Sequence, residues 1–158
     1  MILFRVRLCD QSSDFDHEEV IASCVGFKRD VVEDDEFDTA ARQKLNFGHT
    51  IGHGIESLSH FSISHGQAVA AGMAIVTKAA VSKGLCRNDV YQTLISLLRR
   101  FSLPIGTDFT AEALFASALS DKKRSGSTVN LIIPRRIGCC DIIPTPVSEL
   151  ESFIKAGL

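Results

Sequence analysis

Leu45-Asn46-Phe47-Gly48-His49-Thr50-Ile51-Gly52-His53-Gly54-Ile55-Glu56, followed by Ser64-His65-Gly66-Gln67-Ala68-Val69, decides how this chain is read. Apolar residues at Leu45, Ile51, Ile55 and Leu58 have helical spacing, so His49 and His53, four residues apart, project from one helix face. His65 opens the next apolar run after a short polar loop. Three of the five histidines therefore fall where a helix–turn–helix can gather them. A metal or anion site with helical walls is the expectation.

Outward from this stretch, helical periodicity dominates. From Asp16 as an N-cap, Val20, Ile21, Cys24, Val25, Phe27, Val31 and Val32 predict a helix buried on one side, with Lys28 on it or near its end. Glu33 to Asp38 reads as a solvated acidic turn; the alternating ligands and central glycine of a calcium loop are missing. Thr39–Leu58 reads as one helix and Ser59–Ser64 as a loop holding His60. Ala68–Lys83 reads as a central helix, apolar on nearly every side, closed by Gly84. A third amphipathic helix starts at Asn88 and stops before Pro104. Thr110 caps a short helix through Leu119. Thr128–Ile133 and Gly138–Ile143 are β-rich and form a hairpin across Pro134–Ile137. Pro146–Leu158 is a terminal helix. The fold class is mainly α, a helical bundle with a small β-hairpin near the C-terminus.

With 158 residues, 45% of them apolar and 23% charged, the chain is long enough for one globular domain with a real core. A net charge of −2 gives no reason to expect nucleic acid or an acidic membrane as partner. Cysteines 9, 24, 86, 139 and 140 are odd in number and lack a CxxC spacing, which points to reduced thiols in the cytoplasm. Residues 1–8 are too short and too charged for a signal-peptide core. The Ala68–Val81 run carries Lys78 and is too short to span a bilayer.

The chemistry is narrowed by what is missing. Glu does not follow His49, so the HExxH metalloprotease pattern fails. His49 and His65 can instead form a metal pair, with His53 turned toward a substrate as acid, base or hydrogen-bond donor. A hydrogen-bonded structural histidine is the alternative for any one of them. Glu56, three residues beyond His53, reads as a partner for an imidazole or as half of a helix salt bridge. His17 and His60 read as surface residues. Arg42 and Asn46, spaced i, i+4, can point into the same cleft and hold a carboxylate or phosphate. Asp121-Lys122-Lys123-Arg124-Ser125-Gly126, taken alone, is a solvated basic loop. No Gly-rich nucleotide-binding loop is present.

The ordered set Lys28, Asp35-Glu36, Arg42, Leu45-Asn46-Phe47-Gly48-His49-Thr50, Gly52-His53, Glu56, His65-Gly66, Ala68-Val69 and Gly72-Met73 resembles 3-dehydroquinate synthase. So do Asp121-Lys122-Lys123, Gly126, Ile133-Pro134 and Ile137-Gly138. The resemblance runs from about Asp16 to the C-terminus and covers the family's C-terminal, mainly helical domain. It implies a phosphate-eliminating carbon–oxygen lyase that converts 3-deoxy-arabino-heptulosonate 7-phosphate to 3-dehydroquinate in the shikimate pathway. Its cofactors are NAD and a divalent metal, usually Zn2+. NAD transiently oxidises the C5 carbinol and acidifies the neighbouring C–H; phosphate leaves, the ketone is reduced again, and an aldol step closes the ring. Carried onto this chain, the resemblance makes His49 and His65 metal ligands. His53, Asn46, Arg42 and Lys28 contact substrate or assist proton transfer, and one of Lys122 and Lys123 reaches its phosphate or carboxylate.

The chain departs from the pattern at Gln67, which stands for Glu, at Asp38, also for Glu, and at Ala40, which stands for Gly. The family's third metal ligand, a Glu, falls by spacing before Met1. The expected organisation is thus an irregular segment over residues 1–15 and a C-terminal domain over 16–158, without the N-terminal NAD-binding domain. Such a chain is expected to be inactive alone, and to form a homo-oligomer or pair with an N-terminal half. Alternatives are another sugar-phosphate cyclase, a metal-dependent alcohol dehydrogenase domain, or a non-catalytic helical remnant.

Overall fold

A computed structural model describes residues 17–35, 41–122 and 127–158. In chain order these form α1 (His17–Asp34), a 3-10 helix (Ala41–Asn46), α2 (His49–Leu58), α3 (His65–Ser82), α4 (Asn88–Arg100) and α5 (Ala111–Lys122). The hairpin strands β1 (Thr128–Arg136) and β2 (Cys139–Pro146) follow, then α6 (Val147–Gly157). The architecture is the mainly helical one read from the sequence, with one antiparallel two-stranded sheet. The expected irregular segment over residues 1–15 lies outside the described residues. Among the described residues no helix is long and apolar enough to cross a membrane.

The core is built around α3. Small residues Ala68, Ala70, Ala71, Ala74, Ala79 and Ala80 are buried with Ile75, Val76 and Thr77, so neighbouring helices approach on several sides at once. Gly72 meets the backbone of Gly48, where a Cβ would collide with the Gly48 carbonyl. On another side Gly157 of α6 lies against the backbone of Ile75, and Lys78 Nζ donates to the Leu158 carbonyl at 2.6 Å. Gly84, at φ +69°, ends the helix as predicted. Its N–H donates to Val81 O and that of Leu85 to Ala80 O, the Schellman pattern. Arg135 ties the hairpin down, with Nε donating to Asp141 and Nη1 to the Leu85 carbonyl.

Several boundaries differ from those the sequence predicts. The single helix expected over Thr39–Leu58 is two pieces, a 3-10 helix and α2, divided at Phe47–Gly48. Gly48 has φ +80°, and its carbonyl accepts the Gly52 N–H at 2.8 Å while touching Gly72. Close contact with α3 therefore sets the break, which periodicity does not encode. The next helix, α3, starts at His65 and not at Ala68, because Gln67 reaches back to its N-cap. The Ser64 N–H and hydroxyl both donate to Gln67 Oε1, at 3.2 and 2.9 Å. Thr110 accepts the Ala113 N–H as expected, and α5 runs on to Lys122.

The hairpin turns at Ile137–Gly138, with Gly138 at φ +79°. Pro134 lies inside β1 opposite Cys140, next to a register irregularity before Arg136, the kind of place where a residue without an N–H is tolerated. The acidic turn is not wholly solvated: Asp35 is buried and accepts the Arg42 N–H at 3.0 Å, satisfying one of the orphan donors at the start of the 3-10 helix. Residues 36–40, including Asp38 and Ala40, lie outside the described residues. Among the described residues the first helix is half-buried along the face of Val20, Cys24, Phe27 and Val31, and open on the other. Ile21 and Val25 are 62% and 63% exposed.

Candidate metal centre

The turn at Gly48 and the capped start of α3 bring the histidines together. His49 and His53 are one turn apart on α2, and His65 is the first residue of α3. One nitrogen from each lies within 4.8 Å of the others. His49 is half-buried, while His53 and His65 are exposed, so the cluster opens to solvent.

Two of the rings are oriented from behind. His49 Nδ1 donates to the Phe47 carbonyl at 3.3 Å, and His65 Nδ1 donates to Glu56 Oε2 at 3.1 Å. With Nδ1 occupied, the lone pair of each ring sits on Nε2. Metal-ligating histidines are commonly held this way, by a carbonyl or carboxylate on the far ring nitrogen. Burial pushes the His49 imidazole below the usual histidine range; the Phe47 carbonyl opposes this, and the imidazoles of His53 and His65 add to it. This favours the neutral ring, the form that can ligate a metal. Donor type, spacing and outer hydrogen bonds all fit a divalent cation.

A cleft of about 1270 Å³ runs from this cluster. Its walls come from the 3-10 helix, α2, α5 and β1, with Asn46, His49, His53 and Glu56 among the lining residues. Two polar residues not singled out in the sequence close its far side: Asn130 Nδ2 on β1 donates to Gln43 Oε1 on the 3-10 helix at 2.8 Å. The two lie 87 positions apart, and no local pattern connects them. The outward-facing place of Asn130 in an alternating strand was the one available signal.

The basic residues are distributed differently. Asn46 lines the cleft, but Arg42 is not among the described lining residues. Their i, i+4 spacing aligns side chains on an α-helix; a 3-10 helix turns about 120° per residue and carries them to different faces. Lys28 is exposed on α1 and is likewise not among the described lining residues. The side chain of Lys122, at the end of α5, and all of Lys123 lie outside the described residues. His60 is an exposed loop residue at φ 52°. The described cysteines, Cys24, Cys86, Cys139 and Cys140, are free thiols.

Comparison with known proteins gives the family. Residues 6–124 match the family model described as 3-dehydroquinate synthase C-terminal. The chain is 40% identical over 140 residues to a 3-dehydroquinate synthase of Enterococcus faecalis (strain ATCC 47077 / OG1RF), covering 87% of this chain and 39% of that protein. It is 36% identical over 140 residues to the Streptococcus sanguinis (strain SK36) 3-dehydroquinate synthase, with the same coverage. The chain thus spans about two-fifths of the length of these curated relatives.

Among solved structures, a 2-deoxy-scyllo-inosose synthase complexed with carbaglucose-6-phosphate, NAD+ and Co2+ superposes with a TM-score of 0.73 at 20% identity. The match covers 94% of this chain and 47% of that one. The 2-epi-5-epi-valiolone synthase of Streptomyces hygroscopicus subsp. jinggangensis 5008, with NAD+ and Zn2+ bound, gives 0.74 at 20% identity, over 87% and 39%. At that identity the likeness is one of fold. The chain belongs to the 3-dehydroquinate synthase family, and the part of that family it matches is the C-terminal domain.

Proposed function

We propose that this chain is the metal- and substrate-binding part of a cytoplasmic 3-dehydroquinate synthase. The complete enzyme would convert 3-deoxy-arabino-heptulosonate 7-phosphate to 3-dehydroquinate and phosphate in the shikimate pathway. The observation that carries this reading is the convergence of His49, His53 and His65 beside a cleft, in a chain of this family.

His49 and His65 hold a divalent cation, zinc in this reading, with Phe47 and Glu56 fixing their rings. When bound, such a cation would supply Lewis-acid polarisation of substrate hydroxyls, and NAD on the enzyme's other half would supply the hydride chemistry. His53 faces the substrate and exchanges a proton with it. Asn46 offers a carboxamide to the substrate's hydroxyls. One of Lys122 and Lys123 neutralises the phosphate or carboxylate of the anionic sugar phosphate; Lys28 and Arg42, outside the described walls of the cleft, would serve the same anions only in a paired assembly. The exposed Ile21 and Val25 of α1 support pairing, either with an N-terminal half or with a second copy of the chain.

The test is zinc stoichiometry and turnover measured on one preparation of the 158-residue chain. One zinc per chain, lost in His49→Ala and in His65→Ala, is expected, together with no phosphate release from the heptulosonate phosphate plus NAD. Supplying the NAD-binding half of a relative should restore release, with 3-dehydroquinate as the product. A chain that takes up no zinc overturns the metal role. Release without the second half overturns its inactivity alone, and a different cyclic product overturns the substrate assignment.

A further inference from the structure

Three helices end in the same way. After the C-caps of α2, α3 and α4 stand His60, Gly84 and Ser102, at φ 52°, 69° and 53°. The next N–H then reaches back over the last turn, from Phe61 to Glu56 O, from Leu85 to Ala80 O and from Leu103 to Leu98 O. In this Schellman arrangement the apolar residue that follows usually packs back onto its helix. Leu85 and Leu103 lie against the core. Phe61 instead is 75% exposed, more than any other large apolar side chain among the described residues.

A second left-handed residue sets Phe61 apart. Phe61 itself has φ 60°, a conformation that a bulky residue adopts rarely and that the cap does not require. The loop around it is fixed. Ser59 Oγ donates to Glu56 O at 2.9 Å and accepts the Ile63 N–H at 3.3 Å, and Ser62 Oγ donates to Ser59 O at 2.7 Å. Its ends are tied at the cleft, because Glu56 and His65, nine positions apart, share their 3.1 Å hydrogen bond. Held in this way, Phe61 lines the cleft together with Asn46, His53 and Leu58. Backbone strain that burial does not offset is a mark of a side chain placed for a ligand.

We infer that Phe61 is a binding platform whose ring face stacks on the C–H face of a cyclic sugar phosphate in the cleft. The inference rests on the reading of the cleft as a sugar-phosphate site, and adds to it a residue that selects by ring shape. The hydroxyls and phosphate of such a ligand seek polar partners, while a patch of C–H groups on the sugar ring is left for an apolar surface. The negative face of an aromatic ring suits those slightly positive hydrogens. Phe61 is then a specificity residue, favouring a cyclic ligand over inorganic phosphate or an acyclic phosphate ester.

The chain contains no tryptophan, so Phe61→Trp places a lone reporter on the platform. With zinc present, 3-deoxy-arabino-heptulosonate 7-phosphate should shift and quench its emission in the purified 158-residue chain; inorganic phosphate and glycerol 3-phosphate should not. By calorimetry, Phe61→Ala and Phe61→Leu should bind the heptulosonate phosphate about three- to tenfold more weakly than the parent. Phe61→Tyr should bind it like the parent, and affinity for inorganic phosphate should be the same in all of them. Phe101→Ala, at an exposed aromatic outside the described walls of the cleft, should match the parent throughout. Parent-like affinity in Phe61→Ala with a silent Phe61→Trp overturns the platform and leaves the sugar-phosphate reading standing. Equal losses for the heptulosonate phosphate and inorganic phosphate in Phe61→Ala also overturn it, since they would make Phe61 only a support for the loop. A parent chain that does not bind the heptulosonate phosphate overturns the sugar-phosphate reading and the platform with it.

Discussion

Helices α1 and α3 are both 18 residues long, and they behave as opposites. The third helix buries eleven of its residues, from Ala68 to Ala80, against α2, α4 and α6. The first buries none of the described residues of its own length and packs on the 3-10 helix. Both carry apolar residues at helical spacing. What separates them is supply of partners: α3 presents small and apolar residues on all sides to elements of the same chain, whereas Ile21 and Val25 of α1 face solvent. The site divides along the same line. The histidines sit on or beside α3 and are mutually placed, while Lys28 rides on α1, away from the described walls of the cleft.

Truncating one apolar side chain on each helix should break the comparison most visibly. Ile75→Ala removes a side chain that is 1% exposed and should cost about 2–5 kcal/mol in urea unfolding. Val25→Ala should stay within about 0.5 kcal/mol; a loss as large as that of Ile75→Ala would mean that α1 is buried after all.

A glycine-to-alanine exchange on each helix should give opposite signs. At Gly72 the new methyl meets the Gly48 backbone, which cannot swing aside, so Gly72→Ala should destabilise by about 1–3 kcal/mol. It should also weaken metal uptake, since α2 and α3 must part to admit it. At Gly26 nothing lies within 4 Å of the added Cβ, and Gly26→Ala should stabilise by about 0.5–1 kcal/mol through helix propensity. Equal signs in thermal melts would refute the contrast.

The smallest effect sharpens the picture at the site itself. Gln67→Ala removes the acceptor of both Ser64 donors and should cost about 1 kcal/mol of stability. Gln67→Glu, which keeps an acceptor there, should be close to neutral. If both variants leave the melting temperature unchanged, the cap does not hold the start of α3.

Much of this was legible in advance. The third, fourth and sixth helices and the hairpin follow from periodicity and β-rich runs, and the Gly84 stop and Thr110 cap follow from local chemistry. The pairing of His49 with His53 is a matter of helical spacing. Glu56 shows where legibility ends: its position suggested an imidazole partner, but that the partner is His65 depends on how α2 and α3 cross.

The sequence by itself therefore determined which segments are helical, where most of them stop, and that His49 and His53 share a face, because each of these depends on residues within a turn or two of one another. Only the tertiary structure decided that the chain breaks at Gly48, that His65 completes a triangle with the other two histidines, that Gln43 meets Asn130, and that Ile21 and Val25 stay exposed. Those outcomes depend on contacts between segments far apart in the chain, above all the backbone approach of Gly48 to Gly72, and no local pattern carries that information.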